Sequence, residues 1–90
     1  MARPRLRRRI QFKPRITAFK PEGRFFNITE LTLEELEALR LKNVQDLDQI
    51  DAAKRMKTSQ STFQRILSSA YKKLGHAIVY GDKLRIKEKP

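Results

Sequence analysis

The apolar positions of the chain follow several different periods, and each period predicts a different local structure. Phe63, Ile66, Leu67, Ala70, Leu74 and Ala77 recur at spacings of three and four residues, which puts them on one face of a helix of about five turns. Ser59 stands immediately before this run as an N-cap, because its hydroxyl can accept one of the unpaired N–H groups of the first turn. Gly75 costs about 1 kcal/mol against Ala in a helix interior, so the helix is expected either to end there or to run on to Ile78. Upstream, Ile50, Ala53 and Met56 share a face behind the cap candidate Asp48, predicting a short helix to about Met56 that Lys57-Thr58 interrupts. Thr32-Leu33-Glu34-Glu35 has the spacing of a capping box. Leu33, Leu36, Leu39 and Leu41 continue it as an apolar stripe, predicting a helix over residues 33–43 with Glu34, Glu35 and Glu37 toward its positive end.

No helical period precedes residue 25. Pro4, Pro14, Pro21 and Gly23 argue against a helix there, and the segment reads as an arm with short extended pieces around residues 10–12 and 16–19. Ile10, Phe12, Ile16 and Phe19 are too apolar for a purely solvated tail and predict packing onto the body, with Phe25, Phe26 and Ile28 adding to that core. At the other end, residues 77–80 and 84–86 flank Gly81-Asp82. Two pairings stay open: a hairpin between these segments, or residues 84–86 against the arm. The expected architecture is therefore mainly α. Residues 25–90 form a three-helix domain with a helix-turn-helix unit at about 49–70, behind a basic arm over residues 1–24 and beside a small β element.

A short helix, a tight turn and a longer helix with a polar outer face is the plan that inserts a second helix into the major groove of DNA. Ala53 is small where the two helices approach, and Met56, Phe63 and Ile66 supply apolar contacts between them. With that face buried, Ser59, Gln60, Ser61, Gln64, Arg65 and Ser68 project outward, and none is a carboxylate that would repel DNA. They are the expected base contacts: Gln pairs with adenine N6/N7, Arg with guanine O6/N7, and Ser with bases or phosphates. Lys54, Arg55, Lys57, Thr62, Lys72 and Lys73 lie around the same unit and are expected on phosphates, giving affinity without sequence choice.

Charge sharpens this picture. The chain of 90 residues carries +11, and the charge is segregated: nine basic residues and one acid over residues 1–24, two and seven over 25–51, ten and two over 52–90. Such an excess favours a polyanionic partner, with double-stranded DNA first. Arg3, Arg5, Arg7, Arg8 and Arg9 are expected in an adjacent minor groove, although RNA attracts such an arm as well. Two rivals follow from the same charges: an RNA- or ribosome-binding protein acting through the arm, and a protein-docking module with residues 29–51 as its acidic surface. A regulator of transcription would be expected to bind as a two-fold dimer, with residues 74–80 as the dimer surface, and contact with RNA polymerase stays open.

Catalysis, by contrast, has little to stand on. The chain has no cysteine, a single histidine (His76) and no Gly-rich phosphate loop, and its acids sit as a helix-capping group; no enzyme activity, metal or cofactor is expected. His76 reads as a surface or helix-end residue. The start lacks an apolar h-region and no apolar run approaches the roughly 20 residues of a membrane span, so a cytoplasmic protein outside the membrane is expected.

Several of these stretches together carry a resemblance. Arg3-Pro4-Arg5 with Arg8-Arg9, Phe19-Lys20-Pro21, residues 33–41 (LEELEALRL), residues 61–67 (STFQRIL) and Leu84-Arg85-Ile86 resemble a family of small, uncharacterised prokaryotic proteins. Its predicted DNA-binding helix-turn-helix is similar to the fourth region of sigma factors. The resemblance covers nearly the whole chain and implies a DNA-binding protein with a role in regulation. Lys57 departs from that pattern, standing where such motifs place Gly in the turn, and Thr58 stands where an apolar residue is usual. Keeping the standard turn then requires a positive φ at Lys57.

Overall fold

The computed structural model describes residues 10–88, so Arg3, Arg5, Arg7, Arg8 and Arg9 lie outside the described residues. Its elements are β1 (Ala18–Phe19), β2 (Ile28–Thr32), α1 (Leu33–Leu39), α2 (Gln49–Arg55), α3 (Gln60–Tyr80) and β3 (Lys83–Lys87). The helix of α1 continues as one wider π turn over Arg40–Val44. Three helices and a small three-stranded sheet result, with about half of the described residues helical.

Local chemistry sets the helix starts. Thr32 Oγ1 accepts the Glu35 N–H at 3.1 Å while Glu35 Oε1 accepts the Thr32 N–H at 2.9 Å, which completes the reciprocal cap expected there. Asp48 Oδ1 accepts the Asp51 N–H at 2.8 Å, and Ser59 Oγ accepts the Thr62 N–H at 3.1 Å. Past its expected stopping points, α3 runs through Gly75 to Tyr80. Leu74 and Ala77, on either side of that glycine, both pack inward, and their burial offsets the cost of Gly75. Gly81, at φ 72°, ends the helix, and its N–H and that of Asp82 both donate to the Ala77 carbonyl.

Residues 77–80 are thus helical, and the hairpin reading of the C-terminal end is corrected in favour of pairing with the arm. β3 runs antiparallel to β1, with Ala18 opposite Arg85 and Phe19 opposite Leu84. Its other edge carries β2, parallel and in register from Ile28 opposite Lys83 to Thr32 opposite Lys87, so the strand order is β1-β3-β2. β2 is an element the periodicity did not announce, because Ile-Thr-Glu-Leu-Thr buries only Leu31 fully and shows no alternation of apolar and polar residues.

Two apolar clusters meet along α3. One joins Ala38 and Leu41 with Ala52, Ala53 and Met56 of the second helix and its end, and Phe63 and Leu67 of α3; Phe63 and Met56 are fully buried. The other joins Leu31 and Ile86 of the sheet with Ala70, flanked by Leu33, Leu36, Leu74 and Leu84. The described part of the arm adds little apolar burial. Phe12, Ile16, Phe19 and Ile28 stay exposed and Phe26 is 88% exposed, which corrects their expected place in the core. Polar contacts attach this segment instead: the Gln11 N–H donates to Glu37 Oε2 at 3.1 Å, the Ile86 N–H donates to the Thr17 carbonyl at 2.7 Å, and the Arg40 guanidinium lies 5.4 Å from the centre of the Phe12 ring. Among the described residues, no helix is long and apolar enough to cross a membrane.

Candidate nucleic-acid interface

The connection from α2 to α3 is tight and specified by its backbone. The Lys57 N–H donates to the Lys54 carbonyl and the Thr58 N–H to the Ala53 carbonyl, both at 3.0 Å, the paired bonds of a Schellman stop. That stop needs a left-handed residue, and Lys57 supplies it at φ 54°. Lysine thus takes the left-handed position without a glycine. Ser59 then caps α3, one residue after the stop that ends α2.

One face of α3 is bound into the interior through Phe63, Leu67, Ala70 and Ala77. Ser61, Gln64, Arg65, Ser68 and Lys72 fall on the opposite side by helical spacing, and all five are exposed. No Asp or Glu occurs anywhere along α3. The outward stripe is thus polar, cationic and free of carboxylates on its own helix. Lys54, Arg55 and Lys57 are exposed at the end of α2 and in the turn beside it.

Not every expected contact joins that stripe. The Ser59 hydroxyl is engaged in the cap and also lies 2.9 Å from Thr62 Oγ1, so both hydroxyls serve the helix start. Gln60 turns toward α2, where its Nε2 donates to Gln49 Oε1 at 3.5 Å. Thr62, Ser69 and Lys73 face α1. There Lys73 Nζ donates to Glu35 Oε1 at 2.9 Å and Ser69 Oγ to Glu35 Oε2 at 2.6 Å. An open cleft between the two helices is lined by Thr32, Glu34, Glu35, Thr62, Arg65, Ile66 and Ser69. Burial pushes the Glu35 carboxyl up, but the hydrogen bonds from Ser69, the Thr32 N–H and Lys73, with the ammonium charge, outweigh it and hold the group below its ordinary value.

The structure also gives partners to residues outside the expected contacts. Glu37, only 1% exposed, receives Arg40 through both oxygens, Nε to Oε1 at 2.8 Å and Nη2 to Oε2 at 3.0 Å, and the Glu37 bond raises the arginine further above its usual value. Gln49 Nε2 donates to Gln64 Oε1, linking the start of α2 to the outward stripe. Position alone signals Gln49: it is the first helical residue after a cap, facing the next helix across a short turn. His76 is paired, its Nδ1 lying 2.8 Å from Asp82 Oδ2, to which Thr29 Oγ1 also donates at 2.9 Å. Among the described residues, no group of three or more His, Cys, Asp or Glu is placed to hold a metal ion. Of residues 74–80, Leu74 and Ala77 belong to the interior, leaving Ile78, Val79 and Tyr80 exposed by 79%, 76% and 72%.

A short helix and a long acid-free helix mounted beside a three-stranded sheet define a small mixed domain that presents one polar helix face. The chain belongs to the family described as protein of unknown function DUF134, whose model matches residues 1–89. Its relatives include a UPF0251 protein of Desulforudis audaxviator, 47% identical over 96% of this chain and 58% of the relative. A UPF0251 protein of Halothermothrix orenii is 42% identical over 94% of this chain and 65% of its own, and one of Syntrophomonas wolfei is 44% identical over 96% and 68%. The chain thus spans less than two thirds of the first two relatives' length. No solved structure matches the chain.

Proposed function

We propose that this protein binds double-stranded DNA in a sequence-dependent manner through a helix-turn-helix formed by α2 and α3, and that it regulates transcription. The observation that carries this reading is the outward stripe of Ser61, Gln64, Arg65, Ser68 and Lys72 on a helix without a single carboxylate, held rigid from behind by Phe63, Leu67 and Ala70. A rigid helix presents side chains more reproducibly than a loop does, which direct readout of base edges requires. Gln64 and Arg65 are the base-reading residues in this scheme. Ser61 and Ser68 reach bases or phosphates, and Lys54, Arg55, Lys57 and Lys72 hold the backbone. Regulation would proceed through a second copy on a two-fold site, with Ile78, Val79 and Tyr80 available at the far end of α3, or through contact with RNA polymerase.

The test is a competition in which the purified protein meets sheared genomic DNA and total RNA together at physiological salt, and the retained nucleic acid is sequenced. A short duplex motif is expected, and it is expected to vanish with Gln64→Ala/Arg65→Ala. Enrichment of RNA, or of DNA without a motif and indifferent to the double substitution, overturns the reading.

A further inference from the structure

The N-terminal ends of α2 and α3 are joined by a ladder of side-chain amides. Gln60 Nε2 donates to Gln49 Oε1 at 3.5 Å, Gln49 Nε2 donates to Gln64 Oε1, and Gln64 Nε2 donates to Ser68 Oγ at 3.3 Å. Three of these residues belong to α3. Gln49 does not, and it reaches them from a second helix. It opens α2 directly behind the Asp48 cap, and the same short helix is pinned by fully buried Ala52 and nearly buried Ala53. Gln49 is half-buried where Gln64 is exposed.

A glutamine amide offers two N–H groups and two lone pairs. Gln64 uses one lone pair on Gln49 and one N–H on Ser68, so one acceptor and one donor of the amide remain. That remainder complements adenine in the major groove, where N6–H₂ donates and N7 accepts. An unheld glutamine on a helix surface samples several rotamers and both amide orientations. Selecting one of them on binding costs about 2- to 10-fold in affinity, a cost that a partner fixed on a second helix removes beforehand.

We infer that Gln49 is a positioning residue, which holds the Gln64 amide in the orientation that reads adenine; this rests on the DNA-reading function proposed above. It acts through Gln64 and touches no base itself. Its effect is therefore confined to one position of the recognised sequence and depends on Gln64 being present.

A double-mutant cycle on a randomised duplex library at fixed salt tests this, using the full chain as wild type, Gln49→Leu, Gln64→Ala and the double variant. The wild type is expected to select adenine at a position that Gln64→Ala no longer specifies. Gln49→Leu should weaken that same preference by about 2- to 10-fold, leaving the other positions, the salt dependence and the thermal midpoint unchanged. In the double variant, Gln49→Leu should add nothing to the Gln64→Ala loss. Unchanged adenine preference in Gln49→Leu overturns the inference, as does a shift at another position, a shallower salt dependence or a further loss in the double variant. Guanine at the Gln64 position overturns it too. Should leucine unsettle α2, as circular dichroism would show, Gln49→Ala carries the same expectations. A wild type that selects no duplex motif instead refutes the DNA-reading function, and this assignment with it.

Discussion

Lys57 shows how a single residue can carry the cost of a motif. A side chain in the left-handed region loses about 1–2 kcal/mol to the clash of its Cβ with the following carbonyl, while glycine there loses about 0.5–1 kcal/mol to its greater freedom when unfolded. Relief exceeds penalty, so Lys57→Gly should stabilise the fold by about 0.5–1 kcal/mol, read as a rise of roughly 2–8 °C in thermal midpoint. Lys57→Val, β-branched at the same φ, should lower it. Glu35 makes the complementary case. Its carboxyl is held below its ordinary value, so the stability it confers is present above the unfolded value of about 4.3 and is lost as pH falls through the lower folded value. Glu35→Gln keeps an oxygen for the Thr32 N–H but loses the ion pair with Lys73, and should therefore cost about 1–2 kcal/mol at pH 7. The gap between the urea midpoints of the two proteins should then narrow below about pH 4. At this scale the caps at Thr32, Asp48 and Ser59 and the strain at Lys57 were legible, because each depends on neighbours within four residues. Glu37 was not. Its acid lies in the same helix turn as Glu34 and Glu35, and only the return of the arm, with Gln11 and Phe12, explains its burial against Arg40.

Among the elements, α3 was legible in its period and illegible in its length. Three- and four-residue spacing identifies the buried face from Phe63 to Ala77, but Gly75 suggests a break that tertiary packing overrides. Where a Cβ at Gly75 would sit there is open space. Gly75→Ala should therefore gain about 0.5–1 kcal/mol from helix propensity alone, visible as a higher urea midpoint with an unchanged slope. A lower midpoint would mean that the helix depends on glycine at that point. The strands were harder to see for a different reason. β1 is two residues long, and β2 derives its place from pairing with β3, some fifty residues away, rather than from a pattern of its own. Parallel pairing needs a long crossover, and here the crossover is the whole helical part of the molecule. The strand that closes the sheet thus also anchors both ends of the helical unit.

Taken whole, α3 turns two lysines that are adjacent in sequence to different surroundings. Lys72 is exposed in line with Gln64 and Ser68, whereas Lys73 turns to α1 and is held by Glu35. Charge counting treats them alike, but binding should not. Each lysine that neutralises a phosphate releases a condensed counterion, so its removal lowers the slope of log affinity against log salt by about 0.9. Lys72→Ala should weaken DNA binding equally for all sequences, lower the salt slope by about 0.9 and leave the fold as stable as before. Lys73→Ala should do the reverse, removing a partner of Glu35 and lowering the thermal midpoint while the salt slope stays as in the wild type. Equal slopes for the two variants would mean that DNA does not approach along the outward stripe, since an approach along it separates neighbours one residue apart. A lower slope for Lys73→Ala alone would place the nucleic acid over the cleft between α1 and α3, which Arg65 lines together with Glu34 and Glu35.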